Sequence, residues 1–171
     1  MNGPTILQAF QNDLFQAIAR KPDQACRPDA LSVDPWLAMS LLQKSIRRGR
    51  FNCALSAATT LLERFPDRFW RRLGVIAFED IGIANFDLVA MTTVALKGKS
   101  FRRQLGGDWA VASYLVEQMC FSAKCRAADD LLFSIECHPG IEQVRLNQTF
   151  KPTNQLLKHT VGQHELCHRA I

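Results

Sequence analysis

The sequence has no apolar run approaching the ~18 residues that a membrane-spanning helix needs, which predicts that no segment crosses a membrane. Its first residues carry neither a basic leader nor an apolar stretch, so we expect no secretory signal. The six cysteines include no Cys-x-x-Cys pair, which favours buried, reduced thiols over a disulfide framework. Together these absences predict a cytoplasmic protein.

Motifs for catalysis are also missing. The chain has no Gly-x-x-x-x-Gly-Lys-Ser/Thr phosphate loop, no His-Glu-x-x-His, and no recognisable Ser/His/Asp or Cys/His arrangement. We therefore expect a protein that is not an enzyme and holds no cofactor or metal. The side chains of His159, His164, Cys167 and His168 offer zinc ligands near the C-terminus, and His164 and His168 would share one helix face. A polar tail is nevertheless the preferred interpretation of that segment.

The composition favours helices. Of the 171 residues 47% are hydrophobic, β-branched residues are sparse, and Leu and Ala are common. The length predicts one domain, with or without a tail. The fold class predicted is an all-α, multi-helix bundle of about six to eight helices. We divide it into an N-terminal helix and linker over residues 1–33, a central helical domain over residues 34–136, and a C-terminal extension over residues 137–171.

Apolar residues at helical spacing place the individual helices. We expect Asp34 to cap the second helix, with Trp36 on its apolar stripe, and Asp108 to cap the sixth. Trp36, Trp70 and Trp109 are predicted to anchor the core or an interface. The predicted helices cover Pro4–Arg20, a segment from Asp34 to Gly49, Phe51–Phe65, Arg68–Glu79, Phe86–Leu96, a segment from Asp108, and Lys124–Glu136. Lys97–Gly107 is predicted to be a loop, Val144–Phe150 a short extended piece, and Gln155–Ile171 a last helix or a tail.

The net charge of +5 permits attraction to nucleic acid or to another acidic partner. Two basic clusters are candidates for nucleic-acid contact, each with four cations near a predicted loop. Phe51 and Phe101 lie beside them in sequence and are candidates to stack on bases. The alternative is an ordinary solvated surface. The candidate residues are Lys44, Arg47, Arg48 and Arg50 in the first cluster and Lys97, Lys99, Arg102 and Arg103 in the second.

The segment from Arg71 to Gly82 carries two acidic residues at the end of an arginine-bearing helix. The helix macrodipole disfavours Glu79 and Asp80 there, so a compensating contact is expected. A metal or acid–base site is one interpretation, and an ion pair or capping contact that fixes the turn to the next helix is the preferred one. Some members of a third basic group are expected to pair with Glu63, Asp67, Glu79 or Asp80: Arg64, Arg68, Arg71 and Arg72.

Several segments resemble the helical C-terminal region of the RarA/MgsA family, whose relatives include the Werner-helicase-interacting ATPases. Leu42-Gln43-Lys44-Ser45-Ile46-Arg47 resembles the family segment LHKSVRG, and Ala54 to Leu62 resembles the helix AALYWLARML. The best match runs from Arg71 to Gly82 and resembles RRLVRIASEDIGLADP. Trp109 to Cys120 resembles a further family helix, and Ser122-Ala123-Lys124 shows a weaker resemblance to the same family segment. The motif residues carried over are Arg71, Arg72, Glu79, Asp80, Ile81 and Gly82.

The resemblance covers about 100 of the 171 residues and implies a domain like the collar of clamp loaders. It implies self-association, with tetramers as one form, and a role in DNA replication, repair or recombination. DNA, single-strand-binding protein and a full-length RarA-like ATPase are the partners that it implies. Our first hypothesis is therefore a non-enzymatic oligomerisation and interaction module. The second is a helical DNA-binding protein or regulator that uses the loops at 44–50 and 97–103, and the third is a metal-dependent enzyme.

Overall fold

The computed structural model describes residues 5–21 and 25–162, with side chains as far as residue 158. The chain divides into two compact units, residues 1–125 and residues 126–171. The first unit contains α1 (Ile6–Ala19), α2 (Pro35–Arg47), α3 (Phe51–Arg64), α4 (Pro66–Ile76), a π-helical segment (Ala77–Ile81), a 3₁₀ turn (Gly82–Ala84), α5 (Phe86–Ala95), α6 (Lys99–Gln104) and α7 (Asp108–Phe121). The second contains α8 (Ala127–Glu136), α9 (Ile141–Gln148) and α10 (Thr153–Gly162).

The predicted all-α, multi-helix fold is confirmed, because the described residues form helices and turns with no strand. Two local predictions were wrong. The predicted loop at 97–107 contains α6, where Phe101 and Leu105 are spaced to pack on the core. The predicted extended piece at 144–150 lies largely in α9, which begins earlier at Ile141 and so brings Ile141 and Val144 to helical spacing. These short helices raise the number of described α-helices to ten, above the six to eight expected.

Side-chain capping fixes the start of α2. Asp34 Oδ1 accepts hydrogen bonds from the peptide N–H groups of Trp36 at 2.8 Å and Leu37 at 3.0 Å, as the sequence predicted. The same prediction for Asp108 was wrong. Gly107 is the capping residue of α7, and Asp108 is the first helical residue, with its carboxylate turned to Arg102 instead.

The core of the first unit lies between α3 and its neighbours. Helix α3 packs against α2, α4 and α7, while α1 packs against α5. Helix α1, although assigned to a separate segment from the sequence, contributes Leu14 to this same core. The largest fully buried side chains are Leu14, Leu42, Ile46, Leu61, Phe69, Leu73, Ile76, Ile81, Val111, Leu115, Val116 and Met119. None of the described helices combines the length and the apolar character needed to cross a bilayer.

The three tryptophans occupy different environments. Trp70 is buried and its ring meets Phe69 edge to face, with 5.0 Å between centroids. Trp109 is half-buried and donates a hydrogen bond from Nε1 to the Ala25 carbonyl at 3.1 Å. Trp36 was placed on the apolar stripe of α2 from its spacing, but that was wrong: in the first turn of α2 its side chain is 71% exposed.

Candidate functional site

Asp80 is the centre of a polar network inside the first unit. Its side chain is fully buried, and Oδ1 accepts a hydrogen bond from Arg47 Nε at 2.6 Å. Oδ2 accepts a second one from Gln43 Nε2 at 2.9 Å. A buried carboxylate is tolerated when such charge-assisted bonds replace its hydration. The contact is the ion pair that the sequence favoured over a catalytic role for Asp80.

The backbone conformation around Asp80 positions its carboxylate in the interior of the first unit. The α-helical pattern of α4 widens into the π-helical segment at Ala77, which rearranges the hydrogen bonds just before the chain turns. Gly82 then adopts φ +50°, and a Cβ at that position would lie 2.9 Å from the Cys125 carbonyl oxygen. The Cys125 N–H donates to the Asp80 carbonyl at 3.0 Å. Asp80 therefore connects helix α2 and the segment after α7 to the turn that follows α4.

The other motif residues are arranged differently from the expectation. Arg72 Nη1 donates to Gln43 Oε1 at 3.3 Å, and Arg71 Nε donates to the Asp67 carbonyl at 3.3 Å. Among the described residues, no arginine of the group 64, 68, 71 and 72 forms an ion pair, so the predicted pairing was wrong. Arg47 reaches Asp80 from α2, and Arg27 reaches Glu63 at 3.2 Å. Ile81 is buried, and Glu79 is half-buried with Oε2 3.5 Å from Gln43 Nε2.

The polar network around Asp80 includes one of the four cations of the first basic cluster. Arg47 pairs with Asp80, although its side chain remains 37% exposed, so only part of its charge is available to a ligand. Lys44, Arg48 and Arg50 are exposed and form no ion pair within the described part of the chain. Lys44 and Arg48 stand one helical turn apart and therefore point to the same side of α2.

The aromatic side chain of Phe121, which was not predicted from the sequence as a candidate, lies at the end of α7. A Cβ at Gly49 would lie 3.3 Å from the Cys120 carbonyl, so the turn after α2 lies against the end of α7. Phe51 packs on Phe121, with 5.9 Å between ring centroids, and is half-buried. Phe121 itself is 71% exposed. We call Lys44, Arg48, Arg50 and Phe121 the α2–α7 surface.

The second basic cluster contains one residue that cannot act as predicted. Arg102 is 6% exposed, donates from Nε to Asp108 Oδ1 at 2.8 Å and from Nη1 to the Ala95 carbonyl at 3.0 Å. Its guanidinium lies 4.1 Å from the centre of the Trp70 ring. Arg102 is thus a structural residue, and its assignment to a ligand contact was wrong.

The remaining cations of that cluster, Lys97, Lys99 and Arg103, are exposed and form no ion pair with any described residue. Phe101 is half-buried against the core, which leaves it poorly placed to stack on a base. The second basic cluster, in and just before α6, therefore offers charge without an exposed aromatic ring of its own.

Burial shifts the pKa values of two titratable groups at the end of α7 and just after it. Burial raises the pKa of the Cys120 thiol to about 11, an effect that the nearby Lys124 charge opposes. Desolvation lowers the pKa of Lys124, whose Nζ donates to the carbonyls of Cys120 at 3.1 Å and Ser122 at 2.5 Å. Within residues 5–21 and 25–158 no group of three metal-ligating side chains comes together. The side chains of His159, His164, Cys167 and His168 lie outside the described residues.

The chain matches no protein-family model, and its sequence matches no curated protein. The relation to the RarA/MgsA family therefore stays a prediction that rests on the quoted segments.

Proposed function

We propose that this chain is a non-enzymatic helical interaction module, related to the helical region of the RarA/MgsA ATPases, that acts in DNA replication, repair or maintenance. Within that role it contacts nucleic acid through the α2–α7 surface. The observations that carry the proposal are the exposed Phe121 ring, which packs on Phe51, and the exposed side chains of three cations, which have no ion-pair partner among the described residues: Lys44, Arg48 and Arg50.

The chemistry of the α2–α7 surface suits a single strand. Lysine and arginine neutralise phosphates whatever the sequence, and an exposed aromatic ring stacks on any base. Helices α2 and α7 both end here, and their carbonyl ends repel phosphate. Lys124 Nζ donates to the carbonyls of Cys120 and Ser122 at the end of α7, which offsets part of that repulsion. The exposed side chains of Lys44, Arg48 and Arg50 supply the positive charge that the ligand contacts.

The relation to the family is supported by where its segments meet. Gln43 and Arg47 come from the segment that resembles LHKSVRG, and Asp80 comes from the segment that resembles the family's Glu-Asp-Ile-Gly core. These residues bind each other directly, at 2.9 Å and 2.6 Å. Two separate stretches of resemblance therefore contribute to one interior contact, which is what a shared fold requires.

Binding to a fluorescently labelled single-stranded oligonucleotide, followed by anisotropy, tests the proposal. Replacing Phe121 by Ala removes the stacking platform, which is worth about 1–3 kcal/mol per base, so affinity should fall by about 5- to 150-fold. Phe133→Ala is the matched control, because Phe133 is also largely exposed but lies in the second compact unit. Wild-type affinity in Phe121→Ala, or no binding by the wild type at low salt, would exclude this surface as the nucleic-acid contact.

On the basis of the resemblance to the family, we further propose that the chain self-associates, with a tetramer as one form. Single-strand-binding protein or a full-length RarA-like ATPase are the protein partners that it suggests. Light scattering at micromolar concentration should then give a mass well above the 19.3 kDa of one chain. A monomer at that concentration argues against the oligomerisation role and leaves nucleic-acid binding untouched.

A DNA-binding regulator that uses both basic loops is the second candidate. It is favoured by the exposed side chains of Lys97, Lys99 and Arg103, which form no ion pair in the part of the chain that the structure describes. Replacing all three by Ala should weaken DNA binding if the second loop contributes. Unchanged affinity in that variant assigns the contact to the α2–α7 surface alone.

A further inference from the structure

A groove between α2 and α4 joins apolar and cationic side chains on the opposite end of α2 from the α2–α7 surface. It encloses about 380 Å³. Six residues line it: Trp36 and Met39 from α2, and Arg68, Arg71, Arg72 and Val75 from α4. The two helices pack on each other directly, so the groove is part of the folded first unit.

The apolar part of the groove is accessible to solvent. Trp36 is 71% exposed and Val75 is 38% exposed, while Met39 is buried beneath them. A large exposed apolar side chain beside an open depression is typical of a surface that a partner covers. The aliphatic groups of Met39 and Val75 provide a floor for an apolar side chain, but no hydrogen bond for the edge of a base.

The three arginines that line the groove form no ion pair with any described residue. Arg68 lies with its guanidinium 5.3 Å from the Phe65 ring centre, Arg71 binds a backbone carbonyl, and Arg72 binds a side-chain amide. All three are therefore oriented by neutral groups, and none of the described residues that line the groove carries a carboxylate. Arginine presents five donors in a planar fork and pairs carboxylates in bidentate fashion.

We propose that this groove binds an acidic peptide segment of a protein partner that carries a bulky apolar side chain. The apolar side chain covers Trp36, Met39 and Val75, and flanking carboxylates pair with Arg68, Arg71 and Arg72. Charge complementarity selects the acidic peptide, because the described lining of the groove holds three cations within one turn of α4 and no acid. The inference does not depend on nucleic-acid binding at the α2–α7 surface, which lies at the other end of α2.

The probe is a fluorescein-labelled peptide, Glu-Asp-Leu-Glu-Asp-Phe-Glu-Asp, titrated with the full chain and followed by anisotropy. We expect saturable binding that weakens as salt is raised. A second peptide, in which Ser replaces both Leu and Phe, should bind at least about tenfold more weakly because it leaves Trp36 uncovered. Equal binding of the two peptides, or no binding of the first at about 1 mM protein, overturns the proposal.

Variants assign the binding to the groove. Trp36→Ala should weaken the first peptide by about tenfold or more, as expected of an interface tryptophan. Leu37→Ala is the matched control, because Leu37 is exposed on the same turn of α2 and does not line the groove. Arg68→Ala with Arg71→Ala should reduce both the affinity and its salt dependence, and Arg64→Ala should reduce neither.

Two further outcomes separate this site from the nucleic-acid surface. Phe121→Ala should leave peptide binding unchanged, and Trp36→Ala should leave binding of the labelled oligonucleotide unchanged. Wild-type peptide affinity in Trp36→Ala, together with weakened binding of the oligonucleotide, overturns the proposal and assigns the groove to nucleic acid. Circular dichroism of each variant confirms that exposed positions were changed without loss of the helices.

Discussion

Asp80 combines complete burial with a charge, and Arg47 and Gln43 are the residues that make this tolerable. Asp80→Asn keeps the shape of the side chain but removes its charge, which leaves Arg47 without its ion pair. Breaking a fully buried pair costs about 3–5 kcal/mol, and the Arg47 side chain is partly hydrated, so we expect a loss of about 2–3 kcal/mol. Urea denaturation with the slope held constant measures this free energy of unfolding.

Glu79→Gln is the control for that substitution. Its carboxylate is half-buried and its closest side-chain contact, 3.5 Å from Gln43, is long for a hydrogen bond. The free energy of unfolding should change by less than about 0.5 kcal/mol. Equal effects of the two substitutions would show that Asp80 has no special structural role.

The raised pKa of the Cys120 thiol predicts how the free energy of unfolding changes at alkaline pH. Its pKa in the folded chain is raised by burial from 9.0 to about 11, so the unfolded chain releases this proton first as the pH rises. The unfolded state then binds fewer protons, and the free energy of unfolding falls between pH 9 and pH 11. This contribution is fully present below pH 9 and its loss reaches about 2–3 kcal/mol near pH 11.

Cys120→Ala should make the alkaline decline shallower, and urea midpoints at pH 8 and pH 11 for both proteins measure the difference. Desolvation lowers the pKa of Lys124, so that group acts in the opposite direction. The raised pKa of Tyr114 adds to the decline equally in wild type and variant. An identical pH dependence of the two proteins would mean that Cys120 titrates as a solvent-exposed thiol.

At the scale of elements, Gly82 controls how the chain leaves the π-helical segment. Gly82→Ala must place a Cβ at φ +50° and 2.9 Å from the Cys125 carbonyl, so we expect a loss of about 3 kcal/mol in unfolding free energy. Gly107→Ala is the matched control, because φ is also positive there but nothing lies within 4 Å of the added Cβ. Thermal or urea unfolding should show a clearly smaller loss for Gly107→Ala, and equal losses would contradict the collision.

Elements with local signals could be predicted from the sequence, and those fixed by distant contacts could not. Asp34 followed by Pro35 defined the start of α2, since capping acts over three residues. Asp108 looked like a cap but pairs with Arg102, because the latter is buried against Trp70 and needs a carboxylate. No local pattern indicates the π-helical segment, whose geometry depends on contacts with α2 and with Cys125.

The same distinction applies to the candidate site. Lys44, Arg48 and Arg50 could be found because they crowd one short stretch. Phe121 belongs to α7, far along the chain, and joins them only because the turn at Gly49 packs against the end of that helix. The groove was missed for a similar reason: its arginines were expected to pair with nearby acids, whereas Glu63 pairs with Arg27 and Asp80 with Arg47.

At the scale of the whole molecule, the first unit carries two surfaces of different chemistry at the two ends of α2. The α2–α7 surface has cations and an exposed ring, for which we propose a nucleic-acid strand as ligand, and the groove has apolar and cationic side chains, for which we propose an acidic, partly apolar peptide. A module with both would hold a protein partner and nucleic acid at the same time. The two are separable, because no residue is shared between them.

The salt dependence of single-strand binding tests nucleic-acid contact at the α2–α7 surface most directly. Each phosphate contact on a single strand contributes about −0.7 to the slope of log affinity against log salt, so Arg48→Ala with Arg50→Ala should make the slope shallower by about 1.4. Arg20→Ala with Arg64→Ala removes the same charge from other exposed positions and should leave the slope unchanged. Equal slopes for the wild type and the Arg48, Arg50 variant would contradict the account.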